Sequence, residues 1–189
     1  MTAPSVDQPL ATLADAQRDM RFAYLDGAPG MLTSAAVWAT AGVVSQLASS
    51  DRAIWTLLIG GMFIFPLSVL LTKALGRAGK HRADNPLGSL ALATTFWMIL
   101  TLPLAFAVSR LHLAWFFPAM LLIIGGRYLT FATLYGLRIY WVCGAVLAAA
   151  GGALGMVKAA PTLGAFAGAV IEAGFAAAIF FSSRRATSA

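Results

Sequence analysis

The chain has 189 residues, of which 60% are hydrophobic and only 11% are charged. Soluble globular domains are about half apolar and a quarter charged, so this composition excludes a mainly water-exposed protein. The net charge of +6 comes from basic residues in short loops, with no basic face, and no nucleic acid is expected as a partner. The composition predicts an all-α, polytopic transmembrane bundle whose main partner is the lipid bilayer.

Residues 1–28 are predicted to form a cytoplasmic N-terminal segment that is not a signal peptide, since no apolar run precedes Gly27. Thr12 and Asp15 have the spacing of a helix-capping pair. A short amphipathic helix is predicted from apolar residues at helical spacing: Leu13, Ala16, Met20, Ala23 and Tyr24. Two interpretations remain open, a helix on the inner membrane surface and a partly ordered tail.

Residues 29–183 are predicted to form one transmembrane domain of about six spans. Each is an apolar run near the ~20 residues that cross the hydrocarbon core, and their ranges are 31–49, 53–75, 88–108, 112–135, 139–157 and 162–182. The first span is the weakest because it contains Ser34, Thr40, Ser45 and Gln46. Residues 184–189 are predicted to be a short basic C-terminal tail.

The distribution of lysine and arginine predicts that both termini are cytoplasmic. Six spans place one group of basic residues on or near one side: Arg18, Arg21, Lys73, Arg77, Lys80, Arg82, Arg127, Arg138, Arg184 and Arg185. The opposite side has only Arg52, Arg110 and Lys158. Because cytoplasmic loops carry the excess of positive charge, the richer side is assigned to the cytoplasm.

Aromatic residues near the predicted span ends are expected to form belts at the headgroup level. They are Trp55, Trp115, Trp141, Tyr128, Tyr135 and Tyr140. A cage for a cationic ligand is the alternative, which no further residue pattern favours.

Small residues recur every fourth position in the last two spans: Gly144, Ala148 and Gly152, then Gly164 and Gly168. Such ridges let two helix backbones approach closely within lipid. They predict either a tight hairpin of the fifth and sixth spans or a homo-oligomer formed through the same surface.

Glu172 is the only acid predicted within the bilayer, and its distance from Thr162 places it near the midplane. A charge exposed to lipid there costs at least ~2.5 kcal/mol. The carboxyl group is therefore expected to face protein or water, either as a neutral hydrogen-bonding group or as an ion beside a cation. Arg127 is the leading candidate for that cation because it lies at a similar predicted depth. A purely structural role for both residues remains open.

No catalytic, cofactor-binding or metal-binding motif is present in the sequence. His81 and His112 fall in predicted loops on opposite sides, where each is expected to be solvated. Cys143 is the only cysteine, so no intrachain disulfide can form. An enzymatic activity is not expected, and no cofactor is predicted.

The segments GGMFIFPLSVLLTKALGR and NPLGSLALATT, in the second and third predicted spans, resemble a family of small bacterial multispan membrane proteins of unknown function. The resemblance implies a multi-pass protein of the bacterial inner membrane. It implies no activity, substrate or functional residue.

The sequence is compatible with two hypotheses about function, which belong to different classes. The first is movement or sensing of a small solute or ion at Glu172, with Arg127 as its counter-charge or gate. The second is a non-transporting scaffold or accessory subunit, whose small-residue faces serve helix assembly.

Overall fold

The structure is a computed structural model that describes residues 12–188, with side chains described up to residue 183. The first eleven residues, and the side chains of the predicted basic tail, lie outside this range. The described chain is helical and has no strand. Its helices are α1 (Leu13–Tyr24), α2 (Ala28–Leu47), α3 (Ser50–Ala74), α4 (Leu87–Leu111), α5 (Phe116–Tyr135), α6 (Ile139–Met156) and α7 (Pro161–Ser188).

Five segments of the described chain are long and apolar enough to cross a membrane: Ser50–Ala74, Leu87–Leu111, Leu113–Tyr135, Ile139–Met156 and Pro161–Ser183. Helix α2 falls outside this set because its polar side chains lower its hydropathy. Its 20 residues still measure about 30 Å, enough to cross the hydrocarbon. It packs extensively on the apolar helices α3 and α7 and keeps one exposed face, which carries Leu32, Val43 and Leu47. We therefore describe the protein as a helical membrane bundle that includes α2.

Four helices form the centre of the bundle. The most extensive pairings are α2 with α7 and α5 with α6, and α7 also contacts α5 and α6. Helix α3 packs on α2 and helix α4 packs on α5, so both lie at the periphery. Their outer faces carry large exposed apolar side chains, including Met62, Phe65, Leu70, Trp97, Leu100 and Leu104. In a bilayer these faces are covered by lipid.

Interactions between distant parts of the chain define two ends of the bundle. We call the first end the basic end because the α3–α4 loop, with Arg77, Lys80 and Arg82, lies there. At this end the Gln17 amide donates to the Thr133 carbonyl at 2.7 Å, and the Ser183 hydroxyl hydrogen-bonds to Asp26. At the opposite end, Ser45 Oγ lies 2.9 Å from Thr162 Oγ1. Successive helices α2 to α7 therefore alternate in direction.

Helix α1 begins with the predicted capping box, in which Thr12 and Asp15 bond each other's backbone. One face of α1 packs against protein at the basic end, so residues 13–24 form an ordered helix and not a partly ordered tail. Contact of its outer face with the inner membrane surface stays a prediction. Asp19 is buried on α1. Its Oδ2 accepts hydrogen bonds from the Asn85 side chain at 2.7 Å and the Arg82 backbone at 3.0 Å. These bonds tie α1 to the loop between α3 and α4.

His81 belongs to the same region and was wrongly expected to be a solvated loop residue. Its Nδ1 lies 2.9 Å from the Tyr24 hydroxyl. Burial raises the pKa of Tyr24 above its ordinary value. The pair adds a second tie between α1 and the α3–α4 loop.

The number of spans decides on which side each terminus lies, and thiol labelling measures it. In a Cys143→Ser background, we expect Ser5→Cys and Ser188→Cys to resist a membrane-impermeant maleimide in intact cells. Ala160→Cys, between α6 and α7, is expected to react. Reaction of Ser5→Cys and Ser188→Cys from opposite sides would show five spans, with α2 failing to cross.

Candidate functional site

Glu172 lies near the middle of α7 and is completely buried, with 0% of its surface exposed. It lies about 16 Å along the helix axis from Pro161, where the helix begins. The residues that surround it come from α2, α5 and α6. The only acid of the predicted spans thus points into the protein and away from lipid.

The α2–α7 pair positions this carboxyl group. A methyl group at Gly168 would lie 2.5 Å from the Trp38 ring, so only a glycine lets the indole pack directly on the α7 backbone. One turn further along each antiparallel helix, Ser34 of α2 is buried beside Glu172 of α7. The close contact at Gly168 therefore fixes how near the two polar side chains lie.

Tyr128 of α5 supplies the hydrogen bond that Glu172 receives. Its hydroxyl donates to Glu172 Oε1 at 3.0 Å, and both side chains are buried. The Ser34 hydroxyl lies beside the same carboxyl group without forming a bond of normal geometry. Glu172 Oε2 and the nearby Trp38 Nε1 have no hydrogen-bond partner among the described residues. A buried polar atom left unpaired costs roughly 1–3 kcal/mol, so the site is incompletely satisfied.

The expected ion pair between Glu172 and Arg127 is not formed. The ion pairs found among the described residues join Arg18 to Asp15, Arg82 to Asp84 and Arg110 to Asp51. Arg127 and Tyr128 are consecutive on α5, and consecutive helical residues point about 100° apart. Because Tyr128 faces α7, Arg127 is directed elsewhere, and similar depth does not bring the two charges together.

Arg127 is directed toward α4. Its guanidinium donates to Thr95 Oγ1 at 3.0 Å and contacts Met98 Sδ at 3.3 Å. The ring of Phe131 lies 5.2 Å from the guanidinium carbon. Arg127 is partly exposed at the outer surface of the α4–α5 pair, and its charge acts on Glu172 through space, without contact.

Three tyrosines that were expected in a headgroup belt are instead buried in the bundle. Tyr128 stacks on Tyr140 with ring centroids 5.9 Å apart, and Tyr140 stacks on Tyr135 at 5.3 Å. The Tyr140 hydroxyl donates to the Asp26 carbonyl at 2.6 Å. We call these three residues the tyrosine column, which connects the surroundings of Glu172 with the basic end. Trp55 and Trp141, by contrast, are exposed as a belt requires.

The small residues of α6 face α5 and not α7, which corrects the predicted tight hairpin of the last two spans. A methyl group at Gly144 would lie 2.7 Å from the Gly125 carbonyl, and one at Gly125 would lie 3.1 Å from the Ala148 amide. Gly152 has open space around it. On α7, a methyl group at Gly164 would lie 2.7 Å from Phe117 Cβ of α5. The ridges therefore serve three helix pairs: Gly144 lies in α5–α6, Gly164 in α5–α7 and Gly168 in α2–α7.

Sequence reasoning missed Tyr128, Ser34 and Trp38 as neighbours of Glu172. A partial signal was present for α2, since Ser34, one of the polar residues that made it the weakest predicted span, is buried beside Glu172. No comparable signal marked Tyr128, which resembles the other tyrosines near the end of α5. Which face of a helix meets which neighbour depends on packing, and packing was not visible in the sequence.

The arrangement can bind a proton or a small cation. Glu172 offers a carboxyl group with one oxygen hydrogen-bonded and one unpaired, and it forms no ion pair with any described residue. Entry of a cation or water would lower the cost of ionising this buried group. Within the described range, no cluster of three His, Cys, Asp or Glu side chains could hold a metal ion.

The contact between Gly168 and Trp38 can be tested by a pair of matched substitutions. Gly168→Leu places a side chain within the Trp38 ring and is expected to destabilise the protein by about 1–3 kcal/mol. Gly174→Leu, on the same helix, adds its side chain in open space and should be nearly neutral. Thermal unfolding in detergent distinguishes the two, and equal melting temperatures would show that α2 and α7 do not meet at Gly168.

Comparison with known proteins identifies one family. No curated protein and no solved structure matches the chain significantly. A model of a family of unknown function, DUF7010, matches residues 13–182, which include all seven helices but the end of α7. The match extends from α1 past Glu172, so the helix that packs at the basic end and the buried carboxyl group both fall within it. The chain belongs to the DUF7010 family.

Proposed function

We propose that the protein moves a proton or a small monovalent cation across the bacterial inner membrane, with Glu172 as the binding group. The observation that carries this proposal is the incomplete satisfaction of a fully buried carboxyl group. Tyr128 occupies Oε1, whereas Oε2 has no partner among the described residues. Acids within membrane spans are costly and commonly mark ion or proton pathways.

The surroundings of Glu172 favour this function over a purely structural one. A carboxyl group that served only to hold helices together would be expected to satisfy both oxygens. The neighbouring Trp38 Nε1 is also unpaired in the described structure. Hydroxyl groups of Ser34 and Tyr128 lie beside the carboxyl group, and hydroxyl and carboxyl oxygens are suitable ligands for a proton or a hard cation.

The mode of movement that fits is an occluded carrier. Glu172 is wholly inaccessible in this conformation, whereas an open channel requires a continuous path of water. A carrier exposes its site to each side in turn. The tyrosine column leads from the site toward the basic end and supports that end as one direction of access. The role is proposed to be non-enzymatic, and a homo-oligomer remains the proposed assembly.

A scaffold or accessory subunit is the second candidate. The complete burial of Glu172 and the close approach of α2 to α7 at Gly168 favour it. In that case the carboxyl group would serve only the packing of α2, α5 and α7, and no ion would cross.

Reconstitution into liposomes tests the proposal. Vesicles containing the pH dye pyranine are given a potassium diffusion potential with valinomycin, and proton entry is followed by fluorescence. We expect wild-type protein to carry protons above the rate of empty vesicles, and Glu172→Gln to reduce that rate at least tenfold. Thr72→Val, which removes another buried hydroxyl far from the site, should retain it.

Sodium is measured in the same vesicles by uptake of ²²Na⁺, which distinguishes a cation carrier from a proton carrier. Absence of both fluxes in wild-type protein would reject transport and leave the scaffold. Unchanged flux in Glu172→Gln would reject Glu172 as the binding group.

A further inference from the structure

A groove lies between α4 and α5 on the outer surface of the bundle. It has a volume of about 340 Å³, and its lining residues are Ala93, Thr94, Trp97, Gly126, Arg127 and Thr130. Ala93, Trp97 and Gly126 are exposed. The groove therefore opens sideways, at the depth where a bilayer surrounds the protein. We call it the α4–α5 groove.

Arg127 gives this groove a positive charge that has no anionic partner among the described residues. Its hydrogen-bond acceptors are the neutral Thr95 hydroxyl and Met98 sulfur, and its Nε is buried without a partner. A cation within the hydrocarbon costs at least ~2.5 kcal/mol, and neutral acceptors offset only part of that cost. An anion beside the Arg127 guanidinium would offset the remaining cost.

No acid of the described chain can provide that anion, in the same molecule or in a second copy. Glu172 is enclosed in the bundle with Tyr128. The described aspartates lie at the ends of the helices or in the segments that connect them, namely Asp15, Asp19, Asp26, Asp51 and Asp84. A second copy pressed against the groove would therefore bring no carboxylate to the level of Arg127. Among the described residues there is no source for this anion, so we look for it in another molecule.

We propose that the α4–α5 groove binds the carboxylate of a single-chain amphiphile, such as a fatty acid, that enters from the surrounding lipid. The carboxylate pairs with Arg127, with the hydroxyl of Thr130 or Thr94 beside it, and the acyl chain runs along Trp97 into the bilayer. The lateral opening favours an amphiphile over a water-soluble anion. The phosphates of two-chain lipids lie outside the hydrocarbon core, above or below the level of Arg127.

Gly126 offers a way to close the groove without removing the charge. A methyl group at this position would have no atom within 4 Å, so a larger side chain fits there and occupies the groove. Gly61 on α3 is equally open and lies on another lipid-facing helix. The two glycines therefore provide a test variant and a matched control.

The experiment uses a palmitate analogue with a photoreactive diazirine on its chain, added to the protein in lipid nanodiscs. We expect labelled peptides to map to residues 93–97 and 126–130. Labelling should fall at least tenfold in Arg127→Gln and in Gly126→Leu, and stay unchanged in Gly61→Leu. Palmitate should compete, whereas hexadecanol, which has the same chain without the acid, should compete at least tenfold less well.

Several results would overturn the inference. Undiminished labelling in Gly126→Leu, or equal competition by hexadecanol, would show unspecific apolar contact. Equal competition by butyrate would identify a free anion site. A dimer seen by crosslinking and lost in Gly126→Leu, without palmitate labelling, would identify an interface between copies. Glu172→Gln is expected to leave labelling intact, so this inference and the proposed transport can fail separately.

Discussion

A carboxyl group in a low-dielectric interior needs a hydrogen-bond partner for each of its two oxygens. The centre of this bundle is arranged around the Glu172 carboxyl group, and only one of its oxygens has such a partner. Helix α7 carries Glu172, helix α5 provides the Tyr128 hydroxyl, and helix α2 brings Ser34 and Trp38 to the same place. The close approach of α2 to α7 depends on Gly168. Replacement of that glycine would separate the helices that form the site.

The remaining helices divide according to what they contact. Helix α6 supports α5 through the backbone contact between Gly125 and Gly144, which holds the tyrosine column in position. Helices α3 and α4 lie outside this centre and face lipid over much of their length. The two polar positions follow the same division, since Glu172 lies inside the bundle and Arg127 lies on its outer surface. They therefore suggest two separate ligands, an ion in the interior and an anionic amphiphile at the periphery.

Sequence reasoning predicted the elements well and their contacts poorly. The limits of α6, predicted as 139–157 and found as Ile139–Met156, follow from apolar length and a break at Gly136. The capping box at Thr12 follows from local spacing. The depth of Glu172 follows from the rise per residue. The orientation of the Arg127 side chain could not be predicted in this way. The rise per residue gives the position of a residue along the helix axis, but not the direction in which its side chain points around that axis.

The contacts of α1 with the bundle were not predicted, for a related reason. Its apolar positions suit a membrane surface or a protein surface equally well, and the deciding contacts come from residues more than sixty positions away, such as Asn85 with Asp19. The tyrosines were assigned to a headgroup belt because they lie near span ends. Their burial results from the close packing of α5 on α6. The positions of the aromatic residues along the sequence do not reveal that packing.

The claim that Glu172 is retained for binding and not for stability can be tested by the melting temperature in detergent. Glutamine keeps an oxygen that can accept the Tyr128 hydroxyl, so we expect Glu172→Gln to melt at or above the wild-type temperature. In the double variant Glu172→Gln is not expected to restore any stability lost in Arg127→Gln, since the two side chains form no ion pair. A loss of several degrees in Glu172→Gln, recovered in the double variant, would show a structural ion pair and contradict the account.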